Sequence, residues 1–435
     1  SAELSACEEA GRLISGLSAE AVAEAGKRRR EFLERLSGVL SMGEDIERFL
    51  EVEYASYASE YEYGYNRTMD AVKVMLGSYT ALMASTVFIV INFLLLSFFF
   101  GGDPWIVTNT YLGVSLGLAA FILLVRKLLP HDFFENKEGM SLKECDVLKL
   151  VLPLSVGLAL GMALFIASSL TPLSVGTAML AAGLILLAPA ILAKIAEGYI
   201  SEMDRFFPMF IRSYGLHLSA VPSVYRALEP LLEAELGRLK RSLKRLYVRL
   251  INGIDPRLCW RMFARESGSE LVRKGSLIFI DALEGGSDAA KTGEVLSSLS
   301  NLVLRLRRLR TQVYKAFETT IYVLHATSVV LLIFAVKIFA VFSGVLSNVP
   351  TIFPFGTIDE RFLSMLTALF ITFLIIINAY ALNQARVGLK HSIIFHVSLL
   401  LLITGVSLVL ADLVIDVIIG STFSVVTETF TSTSG

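Results

Sequence analysis

Seven apolar stretches interrupt an otherwise charged chain: Tyr79–Phe100, Trp105–Val125, Leu150–Leu170, Leu173–Ala193, Ile321–Phe342, Phe362–Leu382 and Ser392–Gly420. Each holds the ~20 apolar residues that a helix needs to cross ~30 Å of hydrocarbon. No run alternates with the period of two that marks a half-buried strand, so no sheet is expected. The pattern predicts an all-α integral membrane protein with seven transmembrane helices.

Charge gives the spans a direction. Residues 1–78, 126–149, 194–320 and 383–391 hold 37 of the 39 lysines and arginines, and the segments between them hold only Lys337 and Arg361. Such strict alternation is the positive-inside pattern. It places the N-terminus and nearly all the polar mass in the cytoplasm and the C-terminus outside. The outer turns Gly101–Pro104 and Thr171–Pro172 are minimal, and Ser343–Arg361, with Pro350 and Pro354, is the one outer loop of any length. The Ser/Thr-rich tail Ser421–Gly435 is expected to fray. So small an outer face argues against a receptor for large ligands.

Composition agrees, with 54% hydrophobic residues and a mean hydropathy of +0.64. The net charge of −1 conceals an asymmetry. Residues 1–78 carry 9 basic and 15 acidic side chains, whereas residues 194–320 carry 21 and 14. Opposite signs fit the two regions to each other or to different partners. Cys7, Cys145 and Cys259 all fall on the cytoplasmic side, where no disulfide is expected, and no CxxC spacing is present. The first apolar run begins only at Tyr79, so no signal peptide is visible.

The cytoplasmic segments read as helices. Arg238, Arg241, Arg245 and Arg249 recur at helical spacing. Leu236, Leu239, Leu243, Leu246 and Leu250 recur about 120° around the same cylinder, which makes a leucine core face and an arginine face. Asp255-Pro256 fits an N-cap followed by the first helical position. Gly285-Gly286 ends a helix, and Ser287 or Asp288 caps the next. Ser41-Met-Gly-Glu44 has the form of a capping box.

A shift of 243 residues aligns Arg30 with Arg273, Gly43 with Gly286, Asp45 with Asp288, Arg67 with Arg310, Tyr79 with Tyr322 and Ser85 with Ser328. Both copies enter an apolar stretch at the matched tyrosine. The simplest account is two cytoplasmic helical units, each feeding a membrane helix. The second unit begins near Asp204, so the first copy is expected to be incomplete, through truncation or degeneration.

Three runs carry a family resemblance. Asp204-Arg-Phe-Phe-Pro-Met-Phe-Ile-Arg-Ser-Tyr-Gly, Ser223-Val-Tyr-Arg-Ala-Leu and Ala282-Leu-Glu-Gly-Gly-Ser-Asp resemble the type II secretion F domain, a cytoplasmic helical bundle followed by membrane helices. Gly43-Glu-Asp-Ile-Glu-Arg-Phe-Leu resembles the later half of the same domain. Asn378-Ala-Tyr-Ala-Leu, a short basic loop and a last span are similar to archaeal members, the platform proteins of the archaellum and of archaeal type IV pili. The resemblance implies a partial first F domain at 1–78, a membrane hairpin at 79–125 and a basic cytoplasmic loop at 126–149. A second hairpin follows at 150–193, the second F domain at 194–320, three membrane helices at 321–420 and an external tail at 421–435.

Other features bear on chemistry. Gly285-Gly-Ser-Asp-Ala-Ala-Lys291-Thr292 is one residue from a P-loop, with Ala290 where glycine is needed. The run Ser276–Ile280 before it is expected to continue as helix, which makes the segment a glycine turn between helices. His325 and Lys337 lie in one span, Asp412 and Asp416 in another. Intramembrane ionisable groups are candidate functional groups, and the two aspartates, one turn apart, could take part in a proton path. Asp416 and Lys337 sit near the outer ends, where reaching water is the plainer reading, and His325 reads as a packing histidine. Gly113-x-x-x-Gly117 and Gly157-x-x-x-Gly161 permit close helix packing, within one chain or in a homodimer.

The resemblance thus implies a non-enzymatic platform without cofactor or metal. It implies docking on a hexameric secretion ATPase, with membrane helices guiding pilin or archaellin subunits out of the bilayer. Docking candidates are Arg238, Arg241, Arg245, Arg249, Arg305 and Arg308 in the basic region and Glu44, Asp45 and Glu47 in the acidic one. The arginine face is read as exposed. It carries no interleaved aromatics, which argues against nucleic acid; a lipid surface or bulk solvent are its other readings. A transporter or channel with regulatory cytoplasmic helices is the competing class. Such proteins favour inverted repeats, whereas the two copies here run parallel. An intramembrane hydrolase would need paired catalytic residues that the spans lack.

Overall fold

The computed structural model describes residues 19–99, 104–129, 134, 151–159, 172–346 and 359–433. Helices α1 (Ala19–Met42), α2 (Ile46–Phe99), α3 (Pro104–Leu128) and α4 (151–159) lead to the long α5 (Pro172–Ala220). A 3₁₀ turn at Arg226–Leu228 precedes α6 (Glu229–Glu233). Then come α7 (Leu239–Ile251), α8 (Pro256–Ser267), α9 (Glu270–Glu284), α10 (Ala289–Leu346), α11 (Glu360–Ala385) and α12 (Ile393–Thr433). No strand occurs among the described residues.

Six described helices are long and apolar enough to cross a membrane, within Ile46–Ser97, Pro104–Leu128, Val175–Ala220, Ala289–Val341, Arg361–Ala385 and Lys390–Ala411. They contain six of the seven expected spans. The seventh, Leu150–Leu170, falls largely outside the described residues, as do Cys7, Cys145, most of the 126–149 loop and most of Ser343–Arg361. Large apolar side chains on these helices stand open, among them Phe88, Leu112, Leu116, Leu369 and Ile376. Apolar surface on this scale requires hydrocarbon around it. The chain is a multi-pass membrane protein.

Residues 1–64 and 65–435 form two compact units. In the first, Gly43 adopts φ 72° and closes α1 with a pair of backbone bonds, Gly43 N–H to Leu40 O and Glu44 N–H to Val39 O. Asp45 Oδ1 then accepts the Glu47 N–H at 3.0 Å and caps α2. The capping box expected at Ser41–Glu44 does not form. Ser41 is still inside α1, and its hydroxyl donates back to Gly38 O. Asp45 takes the cap because the left-handed glycine delays the next helix by one residue.

The same turn recurs 243 residues later in the second unit. Gly286 has φ 83°. Gly286 N–H reaches Leu283 O, Ser287 N–H reaches Ala282 O, and Asp288 Oδ1 accepts the Ala290 N–H at 2.7 Å. Every one of these atoms lies 243 positions after its counterpart, and α10 starts 243 residues after α2. A repeat spread thinly through the sequence is thus concentrated in one helix–turn–helix.

Two cores organise the second unit. Within the polar helical bundle, Phe207, Phe210, Tyr214, Trp260, Phe263 and Phe279 interlock with centroids 5.3–6.3 Å apart. Leu236, Leu239, Leu243, Leu246 and Leu250 are buried beside them, as their spacing predicts. Each such side chain contributes ~1.5–3 kcal/mol. The residues that carry the family resemblance from Asp204 to Gly215 are therefore mostly packing residues.

The membrane core gathers α2, α3, α10, α11 and α12. Buried inside it, Tyr79 donates to Asn378 Oδ1 at 2.8 Å, and the Asn378 amide lies 3.2 Å from His325 Nδ1. His325 Nε2 completes the chain at 2.8 Å from Thr404 Oγ1. One hydrogen-bonded string ties four helices together, so His325 is a satisfied packing histidine. Close helix contact is made by other glycines than those expected. Around Gly113, Gly117 and Gly157 a Cβ would meet open space for 4 Å among the described residues, whereas Gly176, Gly183 and Gly405 pack α5 against α12. Gly161 and the side chains of Asp412 and Asp416 lie outside what is described.

Candidate functional site

The candidate site is the joint where the bundle meets the membrane helices. Two helices pass through it without a break. Helix α5 continues from the span that closes at Ala193 into the aromatic core, and α10 runs from the Asp288 cap into the span at Ile321. Between their antiparallel paths lies a cleft lined by charged side chains.

At its floor, Asp204 is buried and accepts from Arg307 Nη1 at 2.6 Å. The hydroxyl of Ser269 also donates to Asp204. Ser269 is the N-cap of α9, its oxygen accepting the Val272 N–H at 3.1 Å. One carboxylate on α5 therefore orients the start of α9 and holds α10. Beside it, Arg273 grips Glu270 through two bonds of 2.7 Å.

The membrane side of the joint is built on a helix end. The last carbonyls of α11 have no partner within the helix. Arg310 supplies one: its Nε donates to Ala385 O at 3.0 Å and its Nη2 to Gln384 O at 2.9 Å and Arg386 O at 3.1 Å. A cation at a helix C-terminus also suits the helix dipole. Arg386, just beyond, pairs with Glu197 on α5, and Ser392 donates to the same carboxylate at 2.9 Å. Burial lowers the Arg386 pKa to about 10, which keeps it charged at neutral pH.

The docking candidates are placed differently from one another. Arg238 stands at the N-cap position of α7 without a side-chain cap bond, pairs with Glu202 at 3.1 Å and lies over the Tyr199 ring. Arg245 and Arg249 both turn to Glu266, whose side chain is 5% exposed; the first contact is 3.3 Å. The expected arginine face is open at Arg238, Arg241 and Arg245, and the correction concerns Arg249, which is half-buried against Glu266. A buried carboxylate on α8 needs cations, and two arginines of the stripe supply them. Arg241 remains on the surface next to Arg238. Arg305 and Arg308 are exposed on α10, and Glu44, Asp45 and Glu47 are exposed in the first unit, with Asp45 engaged as a cap. Ser276–Ile280 is helical within α9, so the glycine turn lacks the strand a P-loop requires. Among the described residues no group of His, Cys, Asp or Glu is placed to hold a metal.

Asp204 and Arg310 stand in the family motif and in the repeat without a role that the sequence discloses, and Arg307, Arg386 and Glu197 stand in neither. Spacing does not single out the buried arginines, since Arg305 and Arg308 stand three residues apart on the same helix as Arg307 and Arg310 do, and are exposed.

A helical bundle is thus joined by two continuous helices and a buried ionic joint to a multi-pass membrane core. Residues 210–340 match the family model of the type II secretion system (T2SS), protein F. The chain is similar to the flagella accessory protein J of Methanocaldococcus jannaschii, 25% identical over 321 residues. It is also similar to the flagella accessory protein J of Methanococcus voltae, 23% identical over 347 residues. These matches cover 67% and 77% of this chain but only 54% and 61% of the relatives, so the chain spans a little over half the length of the proteins it matches. No solved structure matches.

Proposed function

We propose that this protein is the membrane platform of an archaellum or related type IV pilus machine. In this reading it turns motion of a cytoplasmic hexameric ATPase into insertion of pilin or archaellin subunits. The observation that carries the reading is mechanical continuity. A bundle helix, α5, and its neighbour α10 become membrane spans as continuous helices, α5 with Pro189 and Pro208 in its interior, and Asp204–Arg307, Asp204–Ser269, Glu197–Arg386 and the Arg310 clamp tie them to each other and to α11 and α9. Displacing the bundle would displace the spans. The N-terminus is assigned to the cytoplasm and the C-terminus to the outside from the charge pattern. The chain itself does no chemistry: ATP is consumed by the partner.

The surface proposed for the ATPase is the outward edge of α7, where Arg241 and Lys244 are exposed. Association driven by surface charge is screened beyond ~8 Å at physiological ionic strength. Arg241→Glu with Lys244→Glu is expected to reduce co-purification of the ATPase and abolish filaments, while thermal unfolding stays unchanged. Normal filaments in that variant would remove α7 from the interface. Saturable ATP binding by the purified chain, lost in Lys291→Ala, would overturn the platform reading itself.

A further inference from the structure

We propose that the cleft between α5 and α10 holds the phosphate headgroup of an anionic phospholipid from the leaflet beside it. The cleft is made by two helix stripes. Lys194, Glu197, Ser201 and Arg205 recur on α5, and Arg308, Thr311, Lys315 and Glu318 on α10. Both stripes start where the apolar sequence ends. Lys194 directly follows the span that closes at Ala193. Lys315 precedes Ile321 by six residues, ~9 Å along a helix. The headgroup zone extends ~5–8 Å beyond the hydrocarbon on each side, and a lysine stem reaches further. Lys194 and Lys315 therefore stand at headgroup depth, with Arg205 and Arg308 on the cytoplasmic side of them.

The balance of charge at this depth favours an anion. Three carboxylates line the cleft, and each is engaged inward. Glu197 is held by Arg386 and Ser392, and Asp204 by Arg307 and Ser269. Glu318 accepts from the Tyr322 hydroxyl at 3.2 Å and lies 3.9 Å from the buried His396. Lys194, Arg205, Arg308 and Lys315 are exposed around the opening, and of the three carboxylates Glu318 attracts Lys194 without forming an ion pair with it. Lys194 is held in position over the Phe395 ring, 5.1 Å from its centroid, on the neighbouring span α12. A lipid phosphate is the anion present at that depth at high local concentration. The same chemistry would accept free phosphate, so the test separates the two sources. The inference rests on the membrane placement of the spans and is independent of the ATPase partnership.

The experiment uses the full chain in nanodiscs of phosphatidylcholine, plain or doped with phosphatidylglycerol, with native mass spectrometry reading the lipid retained on release. The wild type is expected to retain phosphatidylglycerol over phosphatidylcholine. Lys194→Gln with Lys315→Gln should lower that preference roughly thirtyfold, because each juxtamembrane cation contributes about a fivefold factor toward anionic lipid. Lys240→Gln with Arg261→Gln removes equal charge elsewhere and should keep the preference. Single variants at Lys194 and Lys315 serve if the double variant unfolds. Equal retention by the wild type and by the cleft variants would overturn the proposal. So would inorganic phosphate displacing the lipid and stabilising the protein equally well in plain discs, which would make the source soluble.

Discussion

Asp204 and Asp288 are aspartates with opposite surroundings, and they fail in different ways. Asp204 is buried with Arg307 and Ser269 as partners. Asp204→Ala would strand a buried guanidinium and the α9 cap, a loss of ~3–5 kcal/mol. Circular dichroism on the reconstituted chain should register a thermal midpoint lowered by several degrees, and Asp204→Asn, which keeps a hydrogen-bond acceptor, should fall between. Asp288 is at the surface, and the Ala290 N–H in particular holds its carboxyl below the usual aspartate value. A carboxyl with a depressed folded pKa stabilises above its unfolded value and ceases to do so as pH falls through the folded one. Amide exchange at Ala290 and Lys291 should therefore be faster in Asp288→Ala than in wild type near neutral pH. The difference should vanish in acid, well below the ordinary aspartate pKa of ~3.9; a difference that persists there would deny the cap its role.

At the scale of elements, the spacing of α5 and α10 is set by backbone meeting backbone. A Cβ on Gly293 would lie 2.7 Å from Ile211 O, a contact that no side-chain rotation relieves. Gly293→Ala should force the helices apart at a cost of ~1–3 kcal/mol. Gly198 on the same α5 meets nothing within 4 Å among the described residues. There alanine should stabilise by ~0.5–1 kcal/mol through helix propensity. Unfolding midpoints of the two variants are expected to move in opposite directions, and a shared direction would show that packing at Gly293 yields.

For the whole molecule, the assigned topology is open to thiol labelling, with one complication introduced by the fold. Cys259 is fully buried in the bundle and burial pushes its thiol pKa up, so its silence toward a reagent says nothing about sidedness. A cysteine replacing Ser219 or Arg261 on the bundle surface is the useful probe. In intact cells a membrane-impermeant maleimide should miss it and should label a cysteine placed at Ser432. Labelling of the bundle cysteine in intact cells would reverse the orientation.

The order of polar and apolar residues was sufficient for several features. Span length needs only a run of ~20 apolar residues, because bilayer thickness is external to the protein. The leucine face of α7 and the Asp255 and Asp288 caps are local, depending on neighbours two to four positions away, and the repeat is read by matching one stretch of sequence to another. Side-chain partnerships were decided only by the fold. Arg238 and Arg245 are exposed as their spacing predicts, but that they and the half-buried Arg249 pair with Glu202 and Glu266, 17–36 residues away in sequence, was not legible. Arg310 ties α10 to carbonyls 74–76 residues further on, and Tyr79 meets Asn378 across 299. A charge excess can be counted along a chain. Which of those charges is neutralised inside, and which still faces a lipid or a partner, follows from the tertiary contacts, since an ion pair depends on distance in space and not on separation in sequence.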